Sequence, residues 1–215
     1  MKIESVGILI GLRPLNERDS VAHIFTRDNG VLVGVMRGAQ VAKKNKPLVG
    51  QVGQVAWNAR LDSQLGVFHW EAEKNIAAGY IAKPTVLMCL NSVFELLLNL
   101  LPEREAYTDL YDNTVFCLEN LDSDVQVVYL RWEINFLQEL GYALDLSHCS
   151  GCGTTRDLNY LSPRTGRAVC NKCAQPYITK LYTLPLNLDV TYHFLDSICL
   201  QQGVRMPLMR KILKK

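Results

Sequence analysis

The chain has 215 residues, 48% of them hydrophobic and 20% charged, which suits one large folded domain or two small ones and excludes a disordered or collagen-like chain. The net charge of +2 hides an uneven layout: Lys and Arg outnumber Asp and Glu ten to seven in residues 1–75 and ten to three in 147–215, but are outnumbered three to eleven in 76–146. Basic segments at both ends invite phosphate-bearing partners, and the acidic segment between them does not.

The first third predicts β structure. Val6–Ile10 is a β-rich run stopped by Arg13-Pro14. Val21–Thr26 and Val31–Met36 flank Arg27-Asp28-Asn29-Gly30, where Asn-Gly predicts a hairpin with both turn residues at positive φ. A basic stretch, Gln40–Pro47, carries Lys43, Lys44 and Lys46. Val49–Leu61, interrupted at Gly53, and Leu65–Ala72 complete five strands, with a turn expected at Leu61–Gln64. Five short strands in this length predict a closed barrel of the OB type, and an SH3-like barrel fits the same periodicity.

Helical spacing then takes over. Pro84 suits a first helical turn, and Val86, Leu87, Leu90, Val93, Phe94, Leu97, Leu98 and Leu101 follow before Pro102 stops the run. A second helix is predicted over Glu105–Leu121. A third starts at a Ser123/Gln126 capping box, is apolar on most faces and stops at Gly141. Short helices are expected near Leu186–Gln201 and Pro207–Leu213. The fold class is therefore α+β and multidomain: a barrel over residues 1–76 and a helical domain over 77–215. Interruptions at Lys83, Pro84, Asn91, Glu95 and Asn99 make Ile76–Leu101 a buried helix region rather than a membrane span.

Inserted in the helical part, C-S-G-C at Cys149–Cys152 is followed after seventeen residues by C-N-K-C at Cys170–Cys173. Paired C-x-x-C units at this separation are a zinc signal, because a two-residue gap lets both sulfurs of a pair reach one metal. Four thiolates close a tetrahedral shell, so one structural Zn2+ is expected in a module spanning 149–173. His148 abuts the first pair as an alternative ligand. Cys89, Cys117 and Cys199 sit in apolar stretches and read as core residues. Glu4 and Arg13-Pro14 spoil a secretory signal, and seven cysteines without one point to a reducing, cytoplasmic compartment.

No catalytic set stands out, and the chain is not expected to be an enzyme. His69-Trp70-Glu71 matches the H-x-E of zinc deaminases, but neither C-x-x-C follows a proline and two pairs stand where a deaminase has one. Phosphate-loop and dinucleotide glycine fingerprints are lacking. His23 and His193 are single histidines in apolar surroundings and read as structural.

The functional signal is basic. Arg13, Arg18, Arg27, Arg37, Lys43, Lys44, Lys46 and Arg60 lie in or beside the barrel and are the expected DNA contacts. The aromatic complement is thin, namely Phe25, Trp57, Phe68 and Trp70, and some of these must fill the core. Binding dominated by the phosphate backbone is therefore expected. Arg156, Arg164, Arg167, Lys172 and Lys180 can extend the same surface.

Several short motifs recur in one order: Arg18-Asp19, Phe25-Thr26, Asp28-Asn29-Gly30, Gly38-Ala39, Arg131-Trp132-Glu133, Leu140-Gly141-Tyr142, Asp145-Leu146 and the run Tyr160–Arg167 between the cysteine pairs. In this layout the chain resembles the RecO family of bacterial recombination mediators. The resemblance implies an N-terminal OB fold, a helical domain and a four-cysteine zinc module. It implies binding to single- and double-stranded DNA, annealing of complementary strands and, with RecR, help in loading RecA onto DNA coated by single-stranded-DNA-binding protein. It implies a nucleoid-associated location and a helical domain that holds the acidic C-terminal tail of single-stranded-DNA-binding protein, with Arg210 and Lys211 as contacts. The family often has a basic residue after Gly-Ala, and Gln40 departs from that. A zinc-ribbon module binding protein or RNA is the competing expectation.

Overall fold

The structure, a computed structural model, describes residues 1–60 and 65–213; the turn expected at Leu61–Gln64 lies outside the described residues. Five strands close a barrel: β1 (Lys2–Pro14), β2 (Ser20–Thr26), β3 (Gly30–Met36), β4 (Gln51–Asn58) and β5 (Gly66–Asn75). Their order is β1-β2-β3-β5-β4, and β4 returns to β1 through Ile3↔Trp57 and its neighbours. Every pair is antiparallel except β3 with β5, which run parallel from Gly34↔Gly66 to Met36↔Phe68. An all-antiparallel SH3-like meander has no such seam, and the barrel is of the OB type.

Two glycines let the seam close: Gly66 leaves room for an indole, and Gly34 lets the two backbones approach. Trp57 is fully buried, and its Nε1 donates to the Val33 carbonyl at 2.9 Å. A Cβ on Gly66 would lie 2.1 Å from that ring, and one on Gly34 would lie 2.8 Å from the Gly66 carbonyl oxygen. Around Trp57 the barrel core holds Ile3, Leu9, Ile24, Leu32, Met36, Val55 and Phe68.

Strand β1 is buried on both faces over Ile8, Leu9 and Ile10, which is why it reads as a continuous apolar run rather than an alternation. Its outer face is covered by helix α1 (Pro84–Leu100), where a Cβ on Gly11 would meet Leu98 at 3.0 Å. Helix α2 (Thr108–Asn120) covers β2: Phe25 and Tyr111 meet edge to face with centroids 5.5 Å apart. The β2–β3 hairpin differs from the expected two-residue turn. Thr26 pairs with Gly30 across Arg27–Asn29, and of these residues only Gly30 has positive φ, at 64°. The left-handed residue thus closes a three-residue loop. The loop after α1 clamps this hairpin, with the Arg104 amide donating to the Val31 carbonyl at 3.0 Å.

Secondary structure changes from strand to helix just after residue 75, beside the boundary expected at residue 76. The contacts divide the chain elsewhere. One compact unit is Met1–Val125 with Pro207–Met209, and the other is Gln126–Met206 with the segment from Arg210 on. The apolar outer face of β1 and β2 supplies the reason, since α1 and α2 must stay with the barrel to bury it.

The second unit holds helix α3 (Val125–Glu139) from Gln126 on. It buries Tyr129, Trp132, Glu133, Phe136 and Leu137 and exposes Gln126, Val127, Arg131 and Gln138, so it is one-sided rather than apolar on most faces. Gly141, at φ 86°, ends it, with the Tyr142 amide donating to Leu137 at 2.8 Å. The Ser123 hydroxyl, expected to open α3, donates instead to the Asn120 carbonyl at the end of α2, 2.8 Å away. A three-stranded sheet follows, β6 (Tyr160–Leu161), β7 (Ala168–Val169) and β8 (Tyr182–Thr183), in the order β7-β6-β8, with short helix α4 (Asn171–Ala174) between β7 and β8. Helix α5 (Leu188–Gln202) starts on the Asn187 side chain, which accepts from the Val190 amide, and ends at Gly203 with φ 69°. Helix α6 (Leu208–Leu213) comes last. Among the described residues no helix is long and apolar enough to cross a membrane.

Candidate nucleic-acid interface and metal centre

Strand register gathers the basic residues unevenly. Pro14 pairs with Ser20, and Ser20 with Met36, so Arg13, Arg18 and Arg37 sit at one end of the barrel. The link from β3 to β4 folds over that end. The Gln40 amide donates to the Arg18 carbonyl at 3.0 Å, and the Gln40 side chain donates to the Ser20 hydroxyl at 2.5 Å. Gln40 therefore works as a tie between the link and β2. Arg37 shares a cleft with Ala42, Asn45 and Pro47 of that link. Lys43, Lys44 and Lys46 are all exposed along it, as is Arg60 just past β4. None of Arg13, Arg18, Arg37, Lys43, Lys44, Lys46 or Arg60 makes an ion pair with a described residue.

Arg27 lies apart from these cations. It sits on the β2–β3 hairpin at the opposite end and donates to both carboxylate oxygens of Asp112, at 2.9 and 2.8 Å. Its hydrogen bond to Asp112, reinforced by the charge, holds the guanidinium above its usual range and the Asp112 carboxyl below its own. Phosphate would have to compete with this carboxylate for the Arg27 fork.

Arg210 is placed differently again. Expected as a surface contact, it is fully buried. Its Nε and Nη2 donate to the two Glu133 oxygens at 2.6 and 2.7 Å, Nη2 also reaches the Leu188 carbonyl at 2.5 Å, and the guanidinium lies 5.4 Å from the Tyr192 ring centroid. Burial opposes its charge, but Glu133 outweighs burial and the pKa is raised. A six-residue helix carries Arg210 inward because Glu133 and the end of the Asn187–Thr191 turn offer acceptors that an apolar side chain could not satisfy. Lys211 remains exposed. Glu133 was missed in the sequence, although a carboxylate between Trp132 and Phe136 on an apolar helix face signals a buried partner.

The cysteine quartet converges. The Sγ atoms of Cys149, Cys152, Cys170 and Cys173 lie within 4.8 Å of one another. Cys152 and Cys170 are 3.7 Å apart, close to the roughly 3.8 Å edge of a tetrahedron with metal–sulfur bonds of about 2.3 Å and far beyond a disulfide bond. Gly153, at φ 75°, turns the first knuckle and donates to the Cys149 carbonyl at 2.9 Å. A Cβ on Gly151 would lie 3.1 Å from Cys173 Sγ, so the knuckle is shaped around the sulfurs. Burial alone would raise the Cys149 thiol, but amides of Cys170, Gly151 and Cys152 pull it down to about 6. Hydrogen bonds donated by the Cys173 thiol to the Cys152 and Cys170 sulfurs push Cys173 up to about 12. Four crowded thiols cannot all ionise without a cation among them, and a bound dication reverses that. The set fits a metal ion with a closed thiolate shell. The surrounding core is small, with Val169, Ala174 and two of the cysteines buried. His148 stands outside the cluster and contacts the Ser147 hydroxyl at 2.7 Å. His69 and Glu71 are exposed on β5 with Nε2 and Oε1 3.3 Å apart, and neither joins the sulfurs.

Residues 82–208 match the family model described as the C-terminal part of recombination protein O. The chain is 38% identical over 183 residues to DNA repair protein RecO of Ruegeria sp. (strain TM1040), covering 83% of this chain and 76% of that one. It belongs to the RecO family. Identity is 40% over 185 residues to DNA repair protein RecO of Jannaschia sp. (strain CCS1), covering 84% and 74% of the two chains. It is 36% over 210 residues to that of Rhodospirillum centenum, covering 88% and 84%. The structure explains two of the RecO-like motif pairs. Asp19 accepts from the Gly38 amide at 2.9 Å, which joins Arg18-Asp19 to Gly38-Ala39. The Asp145 amide donates to Gly166 at 2.9 Å and its carbonyl accepts from Ala168 at 2.8 Å, which fastens Asp145-Leu146 to the hairpin between the cysteine pairs.

Proposed function

We propose that this RecO-family protein acts in DNA repair and recombination by binding single- and double-stranded DNA and annealing complementary strands. The observation that carries the reading is the set of exposed cations at one end of the barrel, Arg13, Arg18, Arg37, Lys43, Lys44 and Lys46, none paired with a described carboxylate. Relatives similar over most of the chain bear the name DNA repair protein RecO, which agrees with it. Phosphate neutralisation lowers the repulsion between two strands and releases counterions, so annealing needs no covalent chemistry. The protein acts as a binding protein rather than an enzyme, in the cytoplasm at the nucleoid.

The metal is Zn2+ and its role is structural. With RecR, the protein helps RecA load onto DNA coated by single-stranded-DNA-binding protein, whose acidic tail docks on the helical part with Lys211 among the contacts. Strand annealing of complementary DNA coated with single-stranded-DNA-binding protein tests the reading. Faster annealing with added protein supports it; no acceleration, or tighter binding to structured RNA than to single-stranded DNA, refutes it. A hydrolytic or deaminase activity abolished by Glu71→Gln overturns the non-enzymatic part.

A further inference from the structure

We propose that the cleft between Arg37 and Trp70 takes one unpaired nucleobase of a bound single strand, with Trp70 as its stacking face. The inference rests on the DNA-binding reading and deepens it. Of the four aromatic side chains in the barrel sequence, Phe25 and Trp57 are 0% exposed and Phe68 is 6% exposed, so none of these offers a face to a ligand. Trp70 is different. It packs one side against the barrel core yet is half-buried, and its ring borders two neighbouring clefts.

The two clefts differ in charge. The first is lined by Arg37, Ala42, Asn45, Pro47, Phe68 and His69, an apolar floor with a cationic rim that the exposed Lys43, Lys44 and Lys46 extend. The second, across the indole, is lined by Gln51, Glu71, Glu73 and Lys74. Glu71 and Glu73 repel phosphate, while Arg37 and the lysines attract it. A strand therefore tracks along the Arg37 side and can lay one base against Trp70. Duplex DNA has no free base face to offer there.

The indole is also held in place. Its Nε1 donates to the Gln51 side-chain carbonyl at 3.4 Å, the same oxygen accepts from the Leu48 amide at 3.0 Å, and the Gln51 NH2 donates to the Lys46 carbonyl at 3.4 Å. One buried amide thus fixes the stacking ring and the lysine-bearing link together. A platform fixed before binding loses little entropy when a base arrives.

Trp70 reports on itself. The other two tryptophans, Trp57 and Trp132, are 0% and 2% exposed, so fluorescence quenching by a bound base arises at Trp70. The experiment titrates the full chain with oligothymidylate and with an abasic oligonucleotide of equal length, each at several salt concentrations. The expected result is quenching by oligothymidylate alone, with the abasic strand bound about 5- to 100-fold more weakly at an unchanged salt slope. Trp70→Leu should bring the two affinities together, and Trp70→Phe should keep most of the difference. Equal affinities for both strands with no quenching in the unaltered protein would overturn the stacking site and leave DNA binding standing. Failure to bind either strand at low salt would sink both readings.

Discussion

The Arg210 guanidinium and the Glu133 carboxylate form a bidentate pair in which neither side chain is exposed to solvent, with contacts of 2.6 and 2.7 Å. It joins the last helix to α3 within one compact unit. Such a pair is weak evidence of net stability but costly to break from one side.

Arg210→Met should therefore destabilise the protein by about 3–5 kcal/mol, because Glu133 is left buried without its partner. The double change Arg210→Met with Glu133→Leu should cost much less, since no uncompensated charge remains. Urea unfolding of the three proteins measures this. Equal losses in the single and double variants would show that packing around Arg210, not the charge pair, is what matters.

Salt dependence separates free from occupied cations. On single strands the log–log slope is about −0.7 per phosphate neutralised, so Lys43, Lys44 and Lys46 changed together to Ala should flatten it by about 2. Arg27→Ala should leave the slope where it was, because Asp112 already fills that fork. A flatter slope for Arg27→Ala would place the hairpin in the DNA interface.

Cys149→Ser or Cys170→Ser should release one metal ion per chain, detectable by a colorimetric chelator. Acidification should do the same to the unaltered protein, since protons compete with the metal for thiolates. The second compact unit should then lose resistance to proteolysis, because its module has few buried residues besides the cysteines themselves. Binding of short oligonucleotides by the barrel should change little. Loss of all binding with the fold intact would make the module a direct DNA contact.

Two left-handed glycines isolate a steric effect. Gly30 and Gly38 have φ of 64° and 69°, but a Cβ on Gly30 would lie 1.9 Å from the Glu105 carbonyl oxygen, while Gly38 has nothing within 4 Å. Gly38→Ala should cost only the left-handed backbone term, about 1–3 kcal/mol. Gly30→Ala should cost more, as the loop after α1 must move. Similar losses in a denaturant titration would show that this loop yields easily.

Much of the site was legible in residue order alone. The cysteine quartet was, because metal spacing is local: a two-residue gap brings both sulfurs of a pair to one metal, and a glycine closes the first knuckle. The five strands were, because hydrophobic periodicity follows from which backbone faces are buried. What the periodicity could not separate was an OB-type from an SH3-like barrel. That difference lies in the β3–β5 seam, where Gly66 makes way for the Trp57 ring of a third strand and Gly34 for the Gly66 carbonyl.

The basic residues divide along the same line. Residue order alone determined that the chain begins and ends basic, that it can hold a metal in four thiolates and that the five barrel strands precede the helices. Only the tertiary structure decided which cations are available. Arg27 meets Asp112 across 85 positions and Arg210 meets Glu133 across 77, and no local pattern encodes such partners. A charge is free or spent according to what folding brings within about 3 Å of it, and that is a property of the packed chain.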